Sequence, residues 1–119
     1  MTDGHNYPEV IIRAVKQNDE VVVLELGGQI DMKCSPKVKD KFKEIFQDKP
    51  RVIVVDMTEV EFMDSSGLAT LVGALKWCSV NGGELRLAGL AKGVRSIFEI
   101  CRLETIFQIY DSRAEALSQ

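Results

Sequence analysis

Residues 51–68 read RVIVVDMTEVEFMDSSGL, and this stretch decides the fold. Its first six residues form an unbroken, mostly β-branched run, the pattern of a strand covered on both faces. Its last five open a helix. Asp64 can accept hydrogen bonds from a first helical turn, as an N-cap does, with Ser65 as the competing cap. Gly67 lets another backbone approach closely. Phe62 and Met63 are expected to insert into the core. A buried strand that leads into a helix implies a crossover to a parallel neighbour.

The same alternation extends in both directions. Residues 10–15 (VIIRAV) and 21–26 (VVVLEL) predict two strands at hairpin distance, with Asn18-Asp19 as the turn. Gly27-Gly28 then loosens the chain. Ser35-Pro36 predicts a helix start, with Ser35 as N-cap, and Val38, Phe42, Ile45 and Phe46 follow at helical spacing. Lys49-Pro50 ends that helix. The helix opened by DSSGL runs to about Val80 and stops at Asn81-Gly82-Gly83. Beyond it lie a strand at 84–88, a helix at 91–101, a strand at 106–110 and a short helix at 112–117. The predicted order is β-β-α-β-α-β-α-β-α, an α/β fold on a mixed four- to five-stranded sheet. Residues 1–8 are polar and predicted to fray, leaving 9–119 as one domain.

Composition narrows the function. The chain has 119 residues, 45% of them hydrophobic, enough for one core. Its formal net charge of -3 argues against a general nucleic-acid binder. Lys37, Lys39, Lys41 and Lys43 alternate with other residues, so they do not share one helix face and read as a solvated surface. Cys34, Cys78 and Cys101 are odd in number and far apart with no CxxC, which argues against a disulfide framework or zinc site; Cys78 and Cys101 are expected in the core. There is no secretory signal, and no apolar run approaches the ~20 residues of a membrane span, so the cytoplasm is the expected location.

No catalytic set can be assembled. The sole histidine, His5, lies in the frayed end. The serines are not in GxSxG, and no phosphate-cradling glycine motif occurs. Asp56 closes a buried strand, where a receiver domain carries its phosphorylated aspartate. A receiver also needs paired acids after its first strand and a lysine after its last; 24–30 (LELGGQI) and 106–111 (IFQIYD) supply neither. Asp56 is read instead as an acid that bonds nearby N–H groups. No catalytic residue, metal ligand or cofactor is expected.

The informative feature is the helix after Asp64. Leu68, Leu71, Val72 and Leu75 form one stripe, expected against the sheet. Ser66, Ala69, Thr70, Gly73 and Trp77 form a second. Lys76 is the helix's single charge. Either another element of the domain covers the small, uncharged second stripe, or a partner docks there with Ser66 at the edge. In the second case, phosphorylation of Ser66 is a switch. A phosphoryl group adds about -1.5 to -2 charges and is tolerated at a helix N-terminus. Buried unpaired in an interface, it costs several kcal/mol.

Phe62-Met63-Asp64-Ser65-Ser66-Gly67-Leu68 resembles the signature of the STAS-domain anti-sigma factor antagonists. Leu26-Gly27-Gly28-Gln29-Ile30-Asp31 is similar to the family's strand-end pattern, and Asn81-Gly82-Gly83-Glu84-Leu85 to its turn into the next strand. The resemblance covers nearly the whole chain. It implies a STAS fold with helices mainly on one side of the sheet. It implies that the unphosphorylated protein binds an anti-sigma factor, a serine kinase of the histidine-kinase-like ATPase type, and frees a sigma factor. That kinase would phosphorylate Ser66, and a metal-dependent serine phosphatase would reverse the step. Asp31 and Asp64 match motif acids near the acceptor. The expected contact set is Asp31, Asp64, Ser65, Ser66, Gly67, Ala69, Thr70, Gly73 and Trp77. Ala69 departs from the glycine of many relatives. The competing reading is a STAS scaffold subunit of a stress-signalling or transport complex that does not switch.

Overall fold

The computed structural model describes residues 10–119; the expected frayed segment 1–8 and His5 lie outside them. A five-stranded sheet runs in the order β1 (Ile11–Lys16), β2 (Val21–Ile30), β3 (Val52–Met63), β4 (Glu84–Ala88), β5 (Gln108–Tyr110). β1 is antiparallel to β2, and every later pairing is parallel. Asn18 makes the hairpin turn by accepting the N–H groups of Glu20 and Val21 on its side-chain oxygen.

Strand alternation sorts the side chains onto two faces. Val22, Leu24, Leu26, Ile53, Val55, Leu85 and Leu87 meet three helices in the main core. Helix α1 (Ser35–Gln47) contributes Val38, Phe42 and Ile45. Helix α2 (Ser65–Val80) contributes Leu68, Leu71, Ala74 and Cys78, and α3 (Lys92–Ile100) contributes Val94 and Phe98. The opposite face, with Val23, Val52, Val54 and Ala88, is covered by Ala116 of the short helix α4 (Arg113–Leu117). Three helices on one face and one short helix on the other match the expected architecture.

Four local expectations are corrected. β2 and β3 do not stop at Leu26 and Asp56 but continue, paired, to Ile30 and Met63. β3 carries two more residues than β2 over this span, so the pairing shifts twice. Its main-core side chains fall at Ile53, Val55, Met57, Val60 and Met63, a spacing of two, two, three and three. That broken alternation hides the second half of the strand from a period-two reading. It also leaves Phe62 45% exposed while Met63 is buried. Ser35 is not an N-cap: the N–H groups of Cys34 and Ser35 both bond the Asp31 carbonyl, so the helical turn starts earlier and Cys34 takes the cap position. Cys101 is exposed, because α3 ends at Ile100 and Arg102 turns the chain away in the left-handed region at φ 61°. Cys78 is buried as expected, and burial pushes its thiol up to about 11.

Candidate phosphoacceptor site

The carboxyl ends of β2 and β3 lie side by side, and each runs into a helix. The Asp64 N–H donates to the Ile30 carbonyl at 3.2 Å, which seats the start of α2 against the end of β2. Gly67 is what allows this. A Cβ there would lie 2.6 Å from Met63 Cγ and 3.0 Å from the Ile30 carbonyl oxygen.

Asp64 is the N-cap of α2 in extended conformation. Its Oδ1 accepts the N–H of Ser66 at 2.9 Å and of Gly67 at 3.2 Å, two donors the helix itself leaves unpaired. The same oxygen accepts the Ser66 hydroxyl at 2.6 Å. Its Oδ2 accepts the N–H of Met32 at 3.1 Å and so ties the loop after β2 to α2. The hydroxyl and these three N–H groups favour the ionised form, and the Ser66 hydroxyl contributes most. Asp64 therefore titrates below the ordinary aspartate value. Among the described residues, neither Asp31 nor Asp64 is in an ion pair with a lysine or arginine.

Ser66 has a second neighbour that the sequence did not point to. Ser35 Oγ lies 2.7 Å from Ser66 Oγ and 2.9 Å from the Asp31 carbonyl. The two serines are 31 residues apart and meet only because β2 and β3 are adjacent. Asp31 thus reaches the acceptor through Ser35. Its carboxylate turns instead onto the Lys33 N–H, 3.0 Å away.

The expected contact residues divide by exposure. Ser65, Ala69 and Gly73 are exposed; Asp31, Asp64, Ser66, Thr70 and Trp77 are half-buried. Gly67 is buried, so it packs α2 and offers no surface, a correction to its place in the contact set. Along the second stripe of α2, Ala69 and Gly73 stay open while Ser66 at one end and Trp77 at the other contact α1. There Trp77 stacks on Phe46 of α1, with ring centres 3.9 Å apart and planes 6° from parallel. Between the two helices lies a groove of about 620 Å³ lined by Lys39, Phe42, Phe46, Ala69, Gly73 and Trp77. Met32, 73% exposed, flanks the acceptor at the carboxyl end of the sheet.

The site is thus a half-buried serine hydroxyl on a helix N-terminus, beside an uncharged helix face, in a small domain on a mixed sheet. The family model of the STAS domain matches residues 13–116. The anti-sigma-B factor antagonist of Listeria monocytogenes is 36% identical over 103 residues, 85% of this chain and 90% of that protein. The chain therefore belongs to the STAS-domain family, among the anti-sigma factor antagonists. Solved structures share the fold. An anti-sigma factor antagonist from Mycobacterium paratuberculosis superposes with a TM-score of 0.83 at 24% identity over 92% of each chain. The anti-sigma factor antagonist SpoIIAA in its unphosphorylated form superposes with a TM-score of 0.79 at 24% identity, over 90% of this chain and 93% of its own. No group of histidine, cysteine or carboxylate side chains among the described residues is arranged to hold a metal, and no described helix is long and apolar enough to cross a membrane.

Proposed function

We propose that this chain is an anti-sigma factor antagonist that works by partner switching, with Ser66 as the switch. In the unphosphorylated form, the carboxyl end of the sheet and the open part of the α2 face bind an anti-sigma factor and free its sigma factor. Asp31, Asp64, Ser65, Ser66, Ala69, Thr70, Gly73 and Trp77 belong to or border that surface. The anti-sigma factor is itself a serine kinase of the histidine-kinase-like ATPase type, which phosphorylates Ser66 and ends the complex. A metal-dependent serine phosphatase restores it. The antagonist is a substrate in this cycle, not an enzyme, and it acts in the cytoplasm.

One observation carries the reading: the Ser66 hydroxyl sits on a helix N-terminus and spends its only proton on a carboxylate that, among the described residues, no lysine or arginine pairs with. Phosphorylation removes that proton and sets about -1.5 to -2 charges against Asp64. The helix N-terminus tolerates the new charge, so the domain keeps its fold. A docked interface does not tolerate it, because an uncompensated buried charge costs several kcal/mol and each ~1.4 kcal/mol is tenfold in affinity.

The test is a pull-down from the native host with Ser66→Ala and Ser66→Glu as baits. A histidine-kinase-like ATPase held by the alanine form and lost with glutamate supports the switch and identifies the partner. If both baits hold the same proteins, Ser66 is not the control point and the scaffold reading replaces this one.

A further inference from the structure

We propose that Ser35 is the positioning residue of the phosphoacceptor. Its hydroxyl donates to Ser66 Oγ and holds the Ser66 hydroxyl in the rotamer that aims its proton at Asp64, leaving one lone pair free to meet a phosphoryl group. The inference rests on the reading of Ser66 as the modified serine.

The argument is a count of protons. Ser35 and Ser66 each own one hydroxyl proton. Three acceptors compete for the two: Asp64 Oδ1 at 2.6 Å from Ser66, the Asp31 carbonyl at 2.9 Å from Ser35, and one of the two serine oxygens across the 2.7 Å gap. The Ser66 proton goes to Asp64, since a hydroxyl-to-carboxylate bond is the stronger kind and this one is the shortest of the three. The Ser35 proton then chooses between the Asp31 carbonyl and Ser66 Oγ. That carbonyl already accepts the N–H groups of Cys34 at 3.1 Å and Ser35 at 2.9 Å and lies 2.9 Å from the hydroxyl, whereas Ser66 Oγ lies nearer, at 2.7 Å. The nearer and less crowded acceptor is Ser66 Oγ. The result is a relay, Ser35 to Ser66 to Asp64, in which each bond polarises the next.

The burial of Ser35 makes this arrangement rigid. Ser35 is only 6% exposed, at the start of α1 just before Pro36. Ser66 Oγ gives one hydrogen bond and takes one, so its rotation is fixed from two sides. During transfer from a nucleoside triphosphate, the remaining lone pair forms the bond to the γ-phosphorus. The bond from that phosphorus to the β–γ bridging oxygen breaks, and the nucleoside diphosphate leaves with its electron pair. The hydroxyl proton passes to Asp64 Oδ1 and exchanges into solvent. Such transfers depend on positioning far more than on the strength of a base, which is why a group that only orients the oxygen changes the rate.

Removal of this hydroxyl orphans nothing. In Ser35→Ala the Asp31 carbonyl keeps its two N–H donors and Ser66 keeps Asp64, so the variant retains the fold and the partner surface. The test joins two measurements on the full chain as wild type, Ser35→Ala and Ser35→Thr. The first is the χ1 rotamer of Ser66 from NMR couplings. It is single in wild type and in Ser35→Thr, and averaged in Ser35→Ala. The second is phosphorylation by the captured ATPase with ATP. In Ser35→Ala, kcat falls about tenfold with KM unchanged, and Ser35→Thr restores it. A fixed Ser66 rotamer in Ser35→Ala, or an unchanged kcat, overturns the proposal. A rise in KM with kcat intact makes Ser35 a docking contact and overturns it as well. If wild type is not phosphorylated on Ser66, the parent reading fails, and the rotamer comparison still decides whether Ser35 orients that hydroxyl.

Discussion

Two carboxylate clusters in this molecule carry opposite designs. At the carboxyl end of the sheet, Asp64 is held by neutral donors alone, three N–H groups and one hydroxyl. On the α4 face, Glu25 and Asp56 are held by cations. Arg113 lies 2.6 Å from Glu25 and 3.3 Å from Asp56, and Arg13 lies 2.7 Å from Glu25. Hydrogen bonds from Arg113, then Arg13, hold the Glu25 carboxyl below its ordinary value, and Glu25 in turn raises Arg113. The second cluster is a clamp that fixes α4 to the sheet. The first stabilises one negative charge through dipoles and, among the described residues, has no lysine or arginine paired with it. On the proposed reading, the first site responds to an added phosphate and the clamp does not.

The contrast breaks most easily at Ser66. Ser66→Glu is expected to weaken anti-sigma factor binding at least 100-fold, about 2.7 kcal/mol or more, with little change in the urea midpoint. Titration calorimetry and urea melts of the same preparation read both. A glutamate that binds normally would show that the Asp64 site tolerates a second charge after all.

The next effect is on the seat of the site. Gly67→Ala brings a methyl against Met63 Cγ and the Ile30 carbonyl. It is expected to destabilise the domain by about 1–3 kcal/mol in denaturant unfolding, the usual cost of overpacking. Neutral stability there would mean that α2 can slide away from β2, and that the geometry around Ser66 is looser than drawn.

Arg113→Ala sharpens the comparison from the other side. Its partners are mostly shielded, yet the pair is not fully buried. A loss of about 1 kcal/mol in stability is expected, with anti-sigma factor affinity unchanged. Loss of affinity with the fold intact would merge the two clusters into one functional unit.

The smallest effect is in the titrations. Asp64 and Glu25 both have folded pKa values below their ordinary ones. Each therefore contributes stability that is complete above the ordinary carboxylate range, about pH 5, and is lost as pH falls through the folded value. Ser66→Ala removes the largest cause for Asp64, whose carboxyl should move back toward the ordinary value while Glu25 stays put. Carboxyl-carbon NMR titration separates the two. Joint movement would show that the clusters are coupled through the sheet.

How much of this was legible depends on whether the cause was local. The element order followed from hydrophobic period and turn residues. The N-cap role of Asp64 followed from its place before a helical pattern, and the need for a small residue at 67 from the glycine itself. Two failures were local, the cap displaced from Ser35 by the turn at Asp31 and Cys101 turned out beside Arg102; in the others, two chain segments had to meet. The ends of β2 and β3 were missed because glycines and a broken alternation look like strand termination in one strand alone. In the sheet, those residues pair with each other, and the offset of β3 aims Phe62 outward. Gly67 was assigned to a partner surface from its place in DSSGL, and which backbone it admits, the Ile30 carbonyl, shows only in the folded chain. The second stripe of α2 invited two readings, and each holds over part of it: Trp77 is covered by Phe46, while Ala69 and Gly73 stay open.

The sequence by itself determined the alternating α/β architecture, the capped helix behind DSSGL and the hydroxyl at its second position. Each depends on interactions within a few residues, where spacing is geometry. Only the tertiary structure decided what surrounds that hydroxyl. Ser35 and the Met32 N–H come from a segment more than thirty residues away, and no periodicity records a contact made when two parallel strands end side by side.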